Sequence, residues 1–177
     1  MNKLFILSLA LFCMTFTACE EDLLDVNFDM DGGDITFVVS KEDVVNSNGQ
    51  PVVVTTPRQS TSGEELGANK TSLDKLKSAK VKSCVVTITA PAGEDFSFVN
   101  EVKFSLSGQG IPMTLVASKS DIDATATSVT LDVEDVELVE FLQSGEVSSE
   151  ISFTTDETID EDITMKAVIT YAVTAGL

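Results

Sequence analysis

Few residues in this chain have the type and spacing to do chemistry. Asn27-Phe28-Asp29-Met30-Asp31-Gly32 places oxygen ligands at alternating positions ahead of a glycine, as a calcium loop begins. The twelfth position counted from Asn27 is Val38, where a bidentate glutamate is needed, so an EF-hand is not expected. A looser calcium site would draw on the run Asp156, Glu157, Asp160, Glu161 and Asp162, since clustered carboxylates repel unless a cation or water screens them. A solvated acidic turn accounts for the same residues and is the favoured reading. Ser72-Leu73-Asp74-Lys75 matches the Ser-x-x-Lys string of penicillin-recognising enzymes, but neither Ser-Asp-Asn nor Lys-Thr-Gly accompanies it. The sequence has no histidine, so Cys84 lacks the base that a thiolate nucleophile ordinarily needs, and transition-metal sites lose their commonest ligand. Cys84 sits in the β-branched run Ser83 to Thr89 and reads as a small core residue. Carboxylates are abundant, yet nothing singles out two of them as a glycosidase pair. With no Trp and one Tyr, at position 171 on an apolar strand face, the chain is poor in sugar-stacking platforms. Catalysis is not expected, and no cofactor beyond the calcium alternative is implied.

The first residues carry a different kind of information. Lys3 precedes the apolar run Leu4 to Phe12, which is too short to span a bilayer as a retained helix and has the layout of an export signal. Thr17-Ala18-Cys19 resembles the lipobox of bacterial lipoproteins, and Glu20-Glu21-Asp22 resembles the export tag of surface lipoproteins of the Bacteroidetes kind. That resemblance implies cleavage before Cys19, acylation of its sulfur, and display at the outer membrane, exposed on the cell surface. Cys13 would leave with residues 1–18 and Cys19 would be consumed by lipid, so Cys84 alone remains and no intrachain disulfide forms.

Removing residues 1–18 from the 177 leaves 159, enough for one domain and a tether. That mature chain sets ten basic against twenty-nine acidic side chains, a field that repels phosphates and makes nucleic acid an improbable partner.

The elements that must position these residues are mostly strands. Residues 19–33 are acidic and read as a tether, and residues 34–177 as the domain, with its core over about 79–175. Ile35, Phe37 and Val39 alternate as a first strand. The loop-rich segment 41–78 holds one edge strand, Val52 to Thr55 between Pro51 and Pro57, and a short helix near Thr71 to Ser78. Val81 to Ala90 predicts a central strand, with Lys75, Lys77, Lys80 and Lys82 as solvent-side charges around its start. Phe96 to Leu106 and Ile111 to Ala117 predict a hairpin about Gly108-Gln109-Gly110, with Ile111, Met113, Leu115 and Ala117 on one face. Val129 to Val133, Val147 to Thr155 and Ile163 to Val173 alternate in turn, while Val136 to Leu142 fits a helical turn over a sheet edge. About seven strands spaced by turns, with one or two short helical turns, describe an all-β antiparallel sandwich. The region from Ser78 to the end resembles the immunoglobulin-like domain of small Bacteroidetes lipoproteins of uncharacterised function.

The expected role is therefore that of a lipid-anchored, non-catalytic structural or interaction protein. Its partners would be the membrane, through the lipid, and a protein or glycan. A glycan- or peptide-binding accessory module, such as an adhesin or nutrient-capture component, is the alternative.

Overall fold

The computed structural model describes residues 24–59, 62–155 and 157–176. The predicted Cys19 and Asp156 lie outside these residues.

Eight antiparallel strands form one curled sheet: β1 (Asp25–Val39), β2 (Val52–Gln59), β3 (Leu76–Ala90), β4 (Val99–Gly108), β5 (Ile111–Ser120), β6 (Ser128–Val133), β7 (Glu146–Thr155) and β8 (Ile163–Gly176). Their spatial order is β1-β8-β3-β6-β5-β4-β7-β2. The middle of that order is thin, because β6 gives Ser128 to Leu131 to β3 and only Asp132 and Val133 to β5. The sheet folds over there, and two four-stranded halves face each other. Phe37 of β1 meets Phe104 of β4 edge-on across the interior, with ring centroids 6.2 Å apart. The two outer strands return to one another, and the Thr56 hydroxyl on β2 donates to the Thr36 carbonyl on β1 at 3.4 Å.

The antiparallel sandwich expected from the alternation is what forms, with eight strands. Its winding follows from nested pairing: β4 with β5, β3 with β6, β2 with β7, and β1 with β8. The domain is thus one long hairpin whose tip is the Gln109-Gly110 turn, rolled so that β8 also pairs β3 and β7 also pairs β4. This is the jelly-roll arrangement. In the immunoglobulin order the first two strands share a sheet, whereas here β1 and β2 lie in opposite halves.

Several local expectations change. Residues 25–33, read as tether, belong to β1, because Val26, Phe28 and Met30 alternate with Asp25, Asn27, Asp29 and Asp31 and turn their apolar side inward. A bulge between Asp31 and Asp34 interrupts the pairing with β8, and a Cβ on Gly32 would lie 2.8 Å from the Tyr171 ring. The 41–78 segment is less irregular than its composition implies. It contains helices α1 (Lys41–Asn46) and α2 (Ser62–Ala68), each held by one buried aliphatic residue, Val44 and Leu66 respectively. β2 is an edge strand, as its prolines require, and continues through Pro57 to Gln59. The helix expected near Thr71 shrinks to a 3-10 turn over Leu73–Lys75. In β5 a register shift opposite Phe104 and Ser105 buries Val116 and Ala117 together and leaves Met113 40% exposed, so the even alternation predicted there does not hold. Helix α3 (Val139–Gln143) forms where a helical turn was expected and inserts Phe141 and Leu142 into the core.

Strand directions sort the connections between two ends of the sandwich. The end where β1 begins carries α2, the Gln109-Gly110 turn, α3 and Gly176. The opposite end carries α1 and the connections 91–98, 121–127 and 157–162.

Candidate functional site

The outer face of β1, β8 and β3 holds the densest arrangement of polar side chains. β8 lies between the other two, and Ala172 is paired with both Asp29 and Lys80. Because β8 presents small side chains such as Ala172 outward, lysines from β3 reach over it to carboxylates of β1. Lys82 Nζ lies 2.6 Å from Asp29 Oδ2, and Lys77 pairs with Asp25. Lys80 turns the other way to Asp135, whose carboxylate raises the lysine pKa above its ordinary value and keeps it cationic. The Thr174 hydroxyl donates to Asn27 Oδ1 at 2.6 Å. Among these groups lies an open depression of about 420 Å³, lined by Asn27, Phe28, Asp29, Ser78, Lys80 and Thr174. Lys77, Lys80 and Lys82 are solvent-side as expected, and Lys77 and Lys82 also pair across strands. Exposed pairs of this kind contribute about 0–1 kcal/mol each, so a polar ligand can rearrange them at small cost.

Beside the depression, Glu137 closes a gap in the sheet. β6 pairs with β3 only over Cys84 to Thr87, leaving the earlier part of β3 without a strand on that side. The Glu137 carboxylate stands in for it. Oε1 accepts the Ala79 N–H at 2.6 Å and the Leu138 N–H at 3.1 Å, and Oε2 accepts the Ser78 hydroxyl at 2.8 Å. The Leu138 N–H also donates to the Ala79 carbonyl at 2.7 Å. Partial burial pushes the Glu137 pKa up, but the donors from Ala79, Ser78 and Leu138 outweigh it and hold the carboxyl below its usual range.

The residues singled out from the sequence are dispersed. Asn27 to Gly32 is extended strand, so its oxygens project at the spacing of a ladder and do not converge as a loop would. In the β7–β8 connection, Asp162 Oδ1 accepts the Lys41 N–H at 2.9 Å and the Asp160 carbonyl accepts Lys41 Nζ at 2.8 Å. These bonds tie the acidic turn to the start of α1. Among the described residues no group of three or more Asp, Glu or Cys is placed to hold a metal ion. The Asp74 carboxyl is held below its usual range chiefly by the neighbouring Ser72 hydroxyl, and Ser72 and Lys75 stand at the two ends of a 3-10 turn. Cys84 is fully buried, and burial pushes its thiol up to about 12. Such a thiol is inert at neutral pH. Tyr171 is 1% exposed and belongs to the core, as its strand position indicated.

Sequence reasoning missed Glu137 and the depression. The signal for the depression was present: acid alternating with apolar residue from Asp25 to Asp31 is the pattern of a strand with one wet face. For Glu137 there was none, because its role depends on where β6 leaves β3.

No protein-family model matches the chain, and no curated protein matches it in sequence. Among solved structures it is similar to a chain of the Triatoma virus empty capsid, at 9% identity and a TM-score of 0.35, over 82% of this chain and 87% of that one. It is also similar to a chain of turnip yellow mosaic virus, at 11% identity and a TM-score of 0.33, over 87% of this chain and 82% of that one. Likeness at this level carries no argument about activity.

Proposed function

We propose that the chain is a lipid-anchored protein of the bacterial outer membrane, displayed at the cell surface, with a non-catalytic structural or interaction role. The observation that carries this reading is the N-terminal pattern: Lys3, the apolar run to Phe12, and Thr17-Ala18-Cys19 followed by three acids, which resembles the lipobox and export tag of Bacteroidetes surface lipoproteins. A thioether-linked diacylglycerol on Cys19 supplies the membrane attachment, at about 0.8 kcal/mol per buried CH₂, and more than one chain makes it stable. A body suited to passive display supports the reading: a dense core, a buried inert thiol, and outer faces on which lysines and carboxylates neutralise one another locally. The test is metabolic labelling with fatty acid. Cys19→Ala removes both the label and the membrane association; unchanged labelling excludes this anchor.

One observation favours the alternative, a glycan- or peptide-binding module. The depression on the outer face sets Asn27, Asp29, Ser78, Lys80 and Thr174 around the small side chain of Ala172, hydrogen-bonding groups about an open floor of the kind sugars and peptides use. Binding to glycan or peptide arrays that Asn27→Ala and Lys80→Ala both abolish would establish it. Calcium at the 157–162 turn is tested separately, by whether chelation lowers the melting temperature.

A further inference from the structure

The first described strand begins at Asp25, six residues beyond Cys19, and this short distance limits how the domain can stand on a bilayer. Fully extended, six residues span at most about 20 Å. β1 has fifteen residues, so the sandwich is about 50 Å long in the strand direction. The tether is thus shorter than the body, and Asp25 cannot travel far enough for the domain to turn over.

Resting on the lipoprotein reading above, we infer that the end of the sandwich bearing α2, the Gln109-Gly110 turn and α3 is a membrane-facing surface. The partner is the lipid bilayer that holds the acyl chains, and the α1 end is the one displayed. Charge separates the upright pose from a recumbent one. Among the described residues of 40–51, 91–98, 121–127 and 157–162, ten are acidic and Lys41 alone is basic. In the corresponding connections of the other end, 62–75, 109–110 and 134–145, seven are acidic and Lys70 and Lys75 are basic. An anionic headgroup layer repels the α1 end more strongly and drives it outward. At the near end Leu24 is 76% exposed, the most exposed large apolar residue described, and it lies next to the anchoring segment where an acyl boundary can receive it.

The experiment uses full-length acylated protein in vesicles of phosphatidylethanolamine and phosphatidylglycerol with an acceptor dye on the headgroups. A donor dye is attached to Gln109→Cys at the near end or to Glu161→Cys at the far end, both exposed positions, while Cys84 stays buried. Energy transfer from position 109 should exceed that from position 161 by about twofold or more, given the ~50 Å between the ends. Equal or reversed transfer from protein whose acylation is confirmed by mass overturns the orientation and leaves the anchor standing. Protein carrying no acyl chain overturns both.

Discussion

The Glu137 carboxylate accepts the backbone N–H of Ala79 at 2.6 Å and thereby completes the sheet where strand β6 has departed from β3. A side chain substitutes there for a strand, so the protonation state of one residue enters the stability of a ladder edge.

Because hydrogen bonds hold the Glu137 pKa below its ordinary 4.5, its contribution is present above the unfolded value and lost as pH falls through the folded one. Glu137→Ala should lower stability at pH 7 by about 2 kcal/mol, the scale for hydrogen bonds to a charged acceptor. The difference between wild type and variant should shrink below pH 4.5. Denaturant titrations at pH 7 and pH 3.5 measure both; a pH-independent difference would exclude this role.

Gly32 is required by what faces it. A Cβ there lies 2.8 Å from Tyr171 Cε2 and 2.9 Å from the Ile169 carbonyl oxygen, and a backbone atom and a core ring have nowhere to go. Gly32→Ala should cost about 2 kcal/mol, the scale of overpacking a filled core, and should lower the urea midpoint without altering the slope.

Ser149 points into the core from β7 with a hydroxyl that finds no hydrogen-bond partner among the described residues. Removing a buried unsatisfied group recovers part of its desolvation cost. Ser149→Ala is expected to raise stability by about 1 kcal/mol, and thermal unfolding of the variant reads the sign directly.

Cys84 should be silent toward aromatic disulfide reagents in the folded protein, since the reactive thiolate is both buried and scarce. In denaturant the acylated chain should release one thiol per molecule, because Cys19 is blocked in it. Rapid reaction of the native protein would place this residue elsewhere.

The amino-acid sequence alone determined the all-β class, most strand positions and the burial of Cys84 and Tyr171, because period-two alternation is local and each strand reports its own buried face. The proximity of acids along the sequence was a poorer guide. Asn27 to Asp31 resembles the start of a ligand loop, but strand geometry spreads it along a ladder where Lys82 of β3 pairs with Asp29. The evenly alternating face assigned to β5 failed for a similar reason, since a bulge at Val116, seen only in its register with β4, shifts the phase within it. Only the tertiary structure decided the nested winding, the crossing of Lys82 over Ala172 to Asp29, and the substitution of Glu137 for a missing strand. Each depends on which strands become neighbours, and that choice is made by burying two sheet faces against one another across long sequence separations, to which no short stretch of the chain has access.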